Sequence, residues 1–246
     1  MTAQKEVLIL DAGTGIRELG NHLLQEGRKQ LHLLLTHFHW DHIQGLPFFK
    51  PAYLKNVQID VFGKALEGFS LQSCVEDIVM PPHFPLPPSA LQAKIKYHPV
   101  DMVPFEISDI TITPIFLNHP NGGIGYKIEC ANQSFVFLTD NELDFSHPTG
   151  LDFQAYVDFV HNVNLLIHDA EYMPDEYEVK RGWGHSNVND VVRLALEADV
   201  RQLGLFHHNQ DRTDAAMDRL VRHARKQAES SSLRCFGVQQ GMKIEL

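Results

Sequence analysis

The most constraining feature of the sequence is an apolar run that ends in a cluster of metal-ligand residues. Residues 31–36 are predicted to form a strand, which leads directly into His37, His39, Asp41 and His42. Side chains two residues apart on an extended backbone point to the same side, so His37 and His39 can reach one metal ion. Asp41 and His42 follow at the turn and can reach a second, adjacent ion. The chain is therefore predicted to begin a two-metal site where this strand ends.

The composition agrees with a metal site and favours a small-molecule substrate over a nucleic acid. The chain has 246 residues, 15 of them histidine, and a formal net charge of -10. An excess of histidine points to metal binding. An acidic chain is a poor candidate for stable nucleic-acid binding, which usually uses a basic surface. A small-molecule substrate fits better.

The cysteines and the hydropathy pattern argue against a disulfide-stabilised protein, a thiolate zinc protein and a membrane protein. Cys74, Cys130 and Cys235 are an odd number without a CxxC pair, so neither a disulfide framework nor a thiolate zinc site is predicted. The sequence shows no secretory leader and no apolar run near the roughly 18 residues of a membrane span. We expect a cytoplasmic protein without a membrane partner.

The periodicity predicts an alternation of strands and helices in a single domain over residues 1–246. Predicted strands cover 7–10, 31–36, 57–62, 110–116, 124–130, 135–139, 165–168, 203–206 and 242–246. Predicted helices cover 16–25, 65–79, 153–161, 188–198 and 213–229. The proline-dense segment 80–90 is predicted to be an extended surface loop at a rim.

Two motifs carry a resemblance to a known family. The segment 36-THFHWDH-42 after its apolar strand, together with 7-VLILDAGTGIRELG-20, resembles the metallo-β-lactamase-fold hydrolases. The resemblance implies an α/β fold, an αββα four-layer sandwich with a metal site at one end of its sheets. Relatives generally have further strands before the one at Val7, so the fold is expected to lack its first strands here, either because the sheet edge is trimmed or because the natural start lies upstream of Met1.

The resemblance also implies the remaining metal ligands. The family pattern adds a histidine, a bridging aspartate and a last histidine, which match His119, Asp140 and His207 at the ends of later apolar runs. Of the pair His207 and His208, only one is expected to face the metals, because adjacent strand residues point to opposite sides. The implied grouping is His37, His39 and His119 on one ion, Asp41, His42 and His207 on the other, and Asp140 shared. Such nitrogen and oxygen ligands favour two divalent ions, Zn²⁺ first, with Mn²⁺ and Fe²⁺ as alternatives.

Three residues are candidates for proton transfer. Asp41 can orient or deprotonate the attacking water. His185, in the segment 184-GHS-186, resembles a histidine of the phosphodiesterase branch that assists protonation of the leaving group, and the structural alternative is a histidine that packs against a helix start. Asp169, in 168-HDAEY-172, matches an acidic motif of the same branch and can orient His185.

These late motifs favour a phosphodiesterase over acyl hydrolases of the same fold. The tRNA 3′-processing endonucleases insert a long arm before the bridging aspartate, but His119 and Asp140 are only 21 positions apart. The expected substrate is therefore a small or cyclic phosphodiester, such as a cyclic nucleotide. The alternatives are a lactone, thioester or β-lactam-type acyl hydrolase, a tRNA 3′-processing-like nuclease, and a diiron module that is not hydrolytic. A homodimer that shares the proline-rich loop is compatible with the sequence.

Overall fold

The computed structural model describes residues 6–246, and the chain divides into two compact units. The first unit runs to Asp101 and the second from Met102 to Leu246. Each unit has one β-sheet and a buried hydrophobic cluster of its own. The expectation of a single domain over residues 1–246 stays a prediction.

The first unit is built on a four-stranded parallel sheet. Its elements are β1 (Leu8–Leu10), α1 (Ile16–Gln25), β2 (Gln30–Leu34), α2 (Trp40–Ile43), β3 (Gln58–Gly63), α3 (Leu71–Glu76) and β4 (Lys94–Pro99). The strands follow one another in the sheet in chain order, and each pair is parallel. Because the carboxyl ends of parallel strands meet at the same edge of a sheet, Asp11 after β1 and His37 after β2 lie close together.

The core of the first unit follows from the alternation of its strands. Leu31, Leu33, Ile59 and Val61 occupy alternate positions of β2 and β3 and belong to one buried cluster with the apolar side of α1. Gly20 of α1 allows a close approach, since a Cβ atom there would lie 2.9 Å from the Phe49 ring. This packing fixes the strand ends from which the predicted metal ligands project.

The second unit is built on a seven-stranded mixed sheet. Its elements are β5 (Phe105–Ile107), β6 (Ile110–Phe116), β7 (Ile124–Cys130), β8 (Gln133–Leu138), α4 (Phe153–Phe159), β9 (Leu165–Asp169), α5 (Pro174–Tyr177), α6 (Val188–Glu197), β10 (Gln202–Phe206), α7 (Asp214–Gln227) and β11 (Arg234–Gly237). The sheet order is β11-β10-β9-β8-β7-β6-β5. Strands β8 to β11 are parallel, whereas β5 to β8 pair in antiparallel fashion.

This topology gathers the polar strand ends of the second unit. β6 and β8 are each antiparallel to β7, so β6 runs in the same direction as β8, β9 and β10. The residues that follow these four strands therefore reach one edge of the sheet. They are His119 after β6, Asp140 after β8, Asp169 at the end of β9 and His207 after β10.

Most of the predicted strands and helices are found in the structure. A few differ from the prediction in their bounds or in their presence. The predicted strand at 242–246 is wrong, because the last strand is β11 and residues 238–246 contain no strand or helix. The predicted helix at 65–79 is shortened to α3, which begins at the capping box of Ser70 and Ser73, after Gly68 with its positive φ of 81°. Strands β4, β5 and β11 were not predicted, and β4 has lysines at alternate positions.

The proline-dense segment is irregular, as predicted. It holds a short 3-10 helix at Pro88–Ala90, and most of its side chains are exposed. In residues 6–246, no helix combines the length and the apolar character needed to cross a membrane.

Candidate metal centre

In the first unit, the segment from His37 to His42, hereafter the metal loop, brings its histidines together. The ring centroids of His37 and His39 lie 4.6 Å apart, and those of His37 and His42 lie 4.2 Å apart. His37 and His42 are buried. Asp41 is half exposed, and its Oδ2 lies 3.2 Å from Nε2 of His42. All four predicted ligands of the first unit thus lie at the same end of β2.

Asp11 holds the metal loop in place. It follows β1 with a positive φ of 58°, which turns its carboxylate toward the loop. The backbone N–H of Thr36 donates to Oδ1 at 2.7 Å, and the Thr36 hydroxyl contacts both carboxylate oxygens. Nδ1 of His42 lies 2.8 Å from Oδ2. Asp11 therefore fixes both the start of the loop and the ring of His42.

In the second unit, Asp140 lies between two histidines. Nε2 of His119 is 3.6 Å from Oδ2 of Asp140, and Nε2 of His207 is 3.4 Å from Oδ1. His119 and Asp140 are buried, and Asp140 and His207 have positive φ angles of 55° and 49°. His208 points elsewhere, with its Nε2 3.2 Å from the carbonyl oxygen of Val238. Two histidines thus face different oxygens of one carboxylate, as a bridging ligand requires.

The histidines share an arrangement that is typical of metal ligands. In four of them Nδ1 contacts a protein oxygen, which makes Nε2 the ring nitrogen that would bind a metal. The contacts of Nδ1 are with Thr36 for His37, Asp11 for His42, Gly184 for His119 and Glu171 for His207, at 3.0, 2.8, 2.9 and 3.4 Å. The donors are imidazole nitrogens and carboxylate oxygens, a set that fits divalent Zn, Mn or Fe.

His185 and Asp169 form an ion pair beside these ligands. Nδ1 of His185 lies 3.2 Å from Oδ2 of Asp169, and its ring stacks on that of His207 with centroids 4.7 Å apart. Burial lowers the pKa of His185, but the hydrogen bond and the negative charge of Asp169 outweigh it, so the pKa is raised. Burial raises the pKa of Asp169, yet its hydrogen bonds with His168 and His185 leave it lowered. The pair therefore favours a protonated imidazole and an ionised carboxylate.

The backbone N–H of Ser186 also donates to Asp169, which ties the GHS segment to the end of β9. Ser186 in turn donates its hydroxyl proton to the carbonyl oxygen of Asn141, next to Asp140. Asn187 caps α6, since its side chain accepts from the N–H groups of Asn189 and Asp190. His185 is consequently held between a buried carboxylate and a capped helix.

Three carboxylates that support the site were not predicted from the sequence. Asp11 lies in a motif that carried the resemblance, so its position after β1 was a usable signal. Glu171 contacts Nε2 of His185 at 3.5 Å and Nδ1 of His207 at 3.4 Å. Glu142 is fully buried and accepts from the N–H groups of Gly182 and Gly184 at 2.6 and 2.7 Å. Gly182 and Gly184 are 40 and 42 residues away from Glu142 in sequence, so no local pattern could have revealed these two contacts.

Comparisons with known proteins identify the family of the chain. The family model described as a beta-lactamase superfamily domain matches residues 6–208. A ribonuclease Z from Saccharolobus solfataricus is 45% identical over 56 residues, which are 22% of this chain and 18% of that protein. The chain therefore aligns with less than one fifth of the length of this relative.

Two solved structures are similar over nearly the whole chain. The metallo-beta-lactamase fold protein YhfI from Bacillus subtilis has a TM-score of 0.70 and 17% identity, over 98% of this chain and 88% of that one. A diphosphatase of the PhnP family has a TM-score of 0.68 and 18% identity, over 100% of this chain and 82% of that one. The expected fold is thus confirmed, and with the match of the family model this chain is a hydrolase of the metallo-β-lactamase superfamily.

Proposed function

We propose that this hydrolase cleaves a small or cyclic phosphodiester, such as a cyclic nucleotide, with two divalent metal ions. The observation that carries the proposal is the position of His185, which is oriented by Asp169 and lies against His207. An alkoxide leaving group, as in a phosphodiester, needs a proton as its bond to phosphorus breaks. A histidine oriented in this way beside metal ligands is suited to supply that proton.

By its resemblance to the family, the chain would hold one ion with His37, His39 and His119 and the other with Asp41, His42 and His207, and Asp140 would be shared. Two divalent ions bound there would supply an activated water and neutralise the negative charge that develops on the phosphoryl oxygens. The buried contacts of Nδ1 keep the histidine rings from rotating away from this arrangement.

The remaining residues have separate roles in the proposed reaction. Asp41 is the half-exposed carboxylate of the metal loop, and we assign it the orientation of the attacking water. His185 donates its proton to the leaving oxygen. Asp169 holds the imidazole through Nδ1, which leaves Nε2, 3.5 Å from Glu171, as the nitrogen that donates the proton.

The short stretch of sequence between His119 and Asp140 favours a compact substrate. β7 and β8 with their turns account for the 20 residues between the two predicted ligands, so this interval contains no arm that could grip a tRNA. The net charge of -10 also disfavours a polyanion as the partner. A tRNA 3′-processing activity is the second candidate, because the local identity with a ribonuclease Z reaches 45%.

The proposal is tested with a panel of substrates. The protein loaded with Zn²⁺ or Mn²⁺ should hydrolyse bis(p-nitrophenyl) phosphate and at least one 2′,3′- or 3′,5′-cyclic nucleotide. It should leave a precursor tRNA transcript and a panel of lactones and thioesters intact. Cleavage of the precursor tRNA alone would favour the second candidate, and activity on lactones or thioesters alone would overturn phosphodiester hydrolysis.

The role of His185 has its own test. His185→Ala should slow release of a poor alkoxide leaving group far more than release of p-nitrophenolate, because the better leaving group needs less proton assistance. His161→Ala is a matched control, since His161 is exposed and contacts Asn162 rather than the ligands. Equal losses on both substrates in His185→Ala would remove the proton-donor role.

A further inference from the structure

An apolar cavity borders the metal loop within the first unit, and the proposed reaction does not use it. The cavity has a volume of about 270 Å³, and its lining includes Phe38, Trp40, Leu66, Phe69, Asp77 and His83. We refer to it as the aromatic cavity. Its volume lies just below the ~300–1,000 Å³ typical of pockets for drug-sized ligands. A single ring system therefore fits it better than a whole nucleotide.

Large apolar side chains around this cavity are exposed to solvent. Trp40 and Phe69 are each 58% exposed, and Leu66 is 42% exposed. The rings of Trp40 and His83 meet edge to face, with centroids 5.6 Å apart. Contiguous exposed apolar surface of this kind marks a binding site for a ligand or a partner.

The position of Trp40 links the aromatic cavity to the proposed chemistry. Trp40 is the first residue of α2 and stands between His39 and Asp41, two of the predicted metal ligands. A molecule with one end at the metal loop can therefore place its other end against the indole ring. The cavity is thus positioned to bind the part of the substrate that does not react.

The lining identifies the chemistry of that part. Aromatic rings stack favourably on the flat faces of nucleobases, whichever base is present. Asp77 adds a hydrogen-bond acceptor, which can accept from the amino group of a base. An acyl chain has no donor for this carboxylate. Among the described residues that line the cavity, none is lysine or arginine, so a second phosphate is not the occupant.

We infer that the aromatic cavity binds the nucleobase of a nucleoside phosphodiester, with Trp40 and Phe69 as residues that determine specificity. This inference rests on the proposed phosphodiesterase function and names its substrate class. A nucleoside substrate gains affinity from stacking, whereas a phosphodiester without a base must bind through the metal loop alone.

The experiment measures binding without turnover. In a Trp183→Phe variant of the full chain, Trp40 is the single tryptophan. Its fluorescence is titrated with AMP, GMP and ribose 5-phosphate, which share a phosphate but differ in the base. Calorimetric titrations of the unmodified chain provide the same comparison without the substitution. AMP and GMP should quench Trp40 saturably and bind at least tenfold more tightly than ribose 5-phosphate.

Phe69→Ala should weaken nucleotide binding by about tenfold, since stacking on an aromatic ring is worth ~1–3 kcal/mol and a tenfold change is ~1.4 kcal/mol. Val103→Ala is the control, because Val103 is 60% exposed and lies in the second unit, outside the lining. Val103→Ala should bind nucleotides as the parent chain does. Equal affinity for ribose 5-phosphate and the nucleotides, or no effect of Phe69→Ala, would overturn the inference.

Two further outcomes separate this inference from its alternatives. If nucleotides bind as expected but no phosphodiester is hydrolysed, the proposed function fails while the aromatic cavity remains a base-binding site. If Phe69→Ala instead converts a dimer to a monomer in light scattering, without change in nucleotide affinity, a second copy of the chain covers the cavity and the inference is wrong.

Discussion

The predicted metal ligands are arranged in opposite ways in the metal loop of the first unit and at the strand ends of the second unit. His37, His39, Asp41 and His42 lie within six residues, and one strand end positions all of them. The ligands of the second unit are spread over 89 residues, and the order and direction of the strands bring them together. A contiguous motif is therefore visible in the sequence, whereas a dispersed set depends on topology.

The two regions nevertheless use the same supporting chemistry. Asp11 contacts Nδ1 of His42, and Glu171 contacts Nδ1 of His207. Asp11, Asp140 and His207 all have backbone angles in the left-handed region within two residues after a strand. Such backbone conformations persist where the surrounding structure enforces them and often occur at functional sites. The difference between the regions thus concerns how the ligands are encoded rather than how they are held.

The largest expected effect comes from removing one ligand of each region. His37→Ala and His119→Ala should each lose nearly all turnover and bind less metal, because each removes an imidazole donor. Metal content is measured by mass spectrometry beside hydrolysis of bis(p-nitrophenyl) phosphate. Comparable losses in both variants would show that the dispersed ligands matter as much as the motif. Full activity of His119→Ala would limit the site to the metal loop.

A smaller effect is expected from the supporting carboxylates. Asp11→Asn and Glu171→Gln keep the shape of each side chain but remove the charge that orients a histidine. Loss of such a contact typically costs about 10–100-fold in metal affinity or activity. Competition with a chelating dye measures the affinity of each variant. An effect of Asp11→Asn without any effect of Glu171→Gln would mean that only the metal loop needs such support.

Glu142→Gln probes the scaffold of the second unit. Glu142 is fully buried and also accepts from the hydroxyl of Tyr177, so the substitution places an amide N–H against existing donors. Hydrogen bonds to charged groups contribute about 1.5–3 kcal/mol each, and we expect a destabilisation of this order. Urea unfolding measures it against Glu178→Gln, an exposed control. Equal stability of the two variants would contradict the role of Glu142 in holding Gly182 and Gly184.

The smallest expected effect is a pH dependence in the first unit. Burial raises the pKa of Asp60, but hydrogen bonds with Gln58, His98 and Gln30 outweigh it and lower the pKa from its ordinary 3.8. The folded state therefore gains stability above pH 3.8 and loses it as the pH falls through the lowered value. Urea unfolding between pH 5 and pH 3 should show this loss in the parent chain and less of it in Asp60→Asn. If the free energy of unfolding fell equally steeply with pH in both proteins, Asp60 would not contribute to the pH dependence of stability.

The sequence was most informative where structure is local. α1, β6 and β7 begin and end where they were predicted, because their apolar periodicity and the turns beside them determine these bounds. β4 was missed since Lys94 and Lys96 make its alternation look polar. The error at 242–246 has a different cause, because the alternation of a short run does not show whether a neighbouring strand pairs with it.

The site was predictable to the extent that its residues follow strands. His119, Asp140 and His207 end apolar runs, and the resemblance of the motifs supplied their order. Glu142 and Glu171 act through partners brought near by the sheet, so their roles depend on contacts that no sequence pattern records. Long-range pairing of buried polar groups thus sets the limit of the sequence-based prediction.

The most direct test of the central claim joins metal content with substrate turnover. The metal-depleted protein is titrated with Zn²⁺ or Mn²⁺ while bound metal and hydrolysis of a cyclic nucleotide or bis(p-nitrophenyl) phosphate are recorded together. The account predicts two ions per chain and phosphodiester turnover that reaches its maximum as the second ion binds. A maximum at one ion, or a fully loaded protein that hydrolyses only lactones or thioesters, would contradict it.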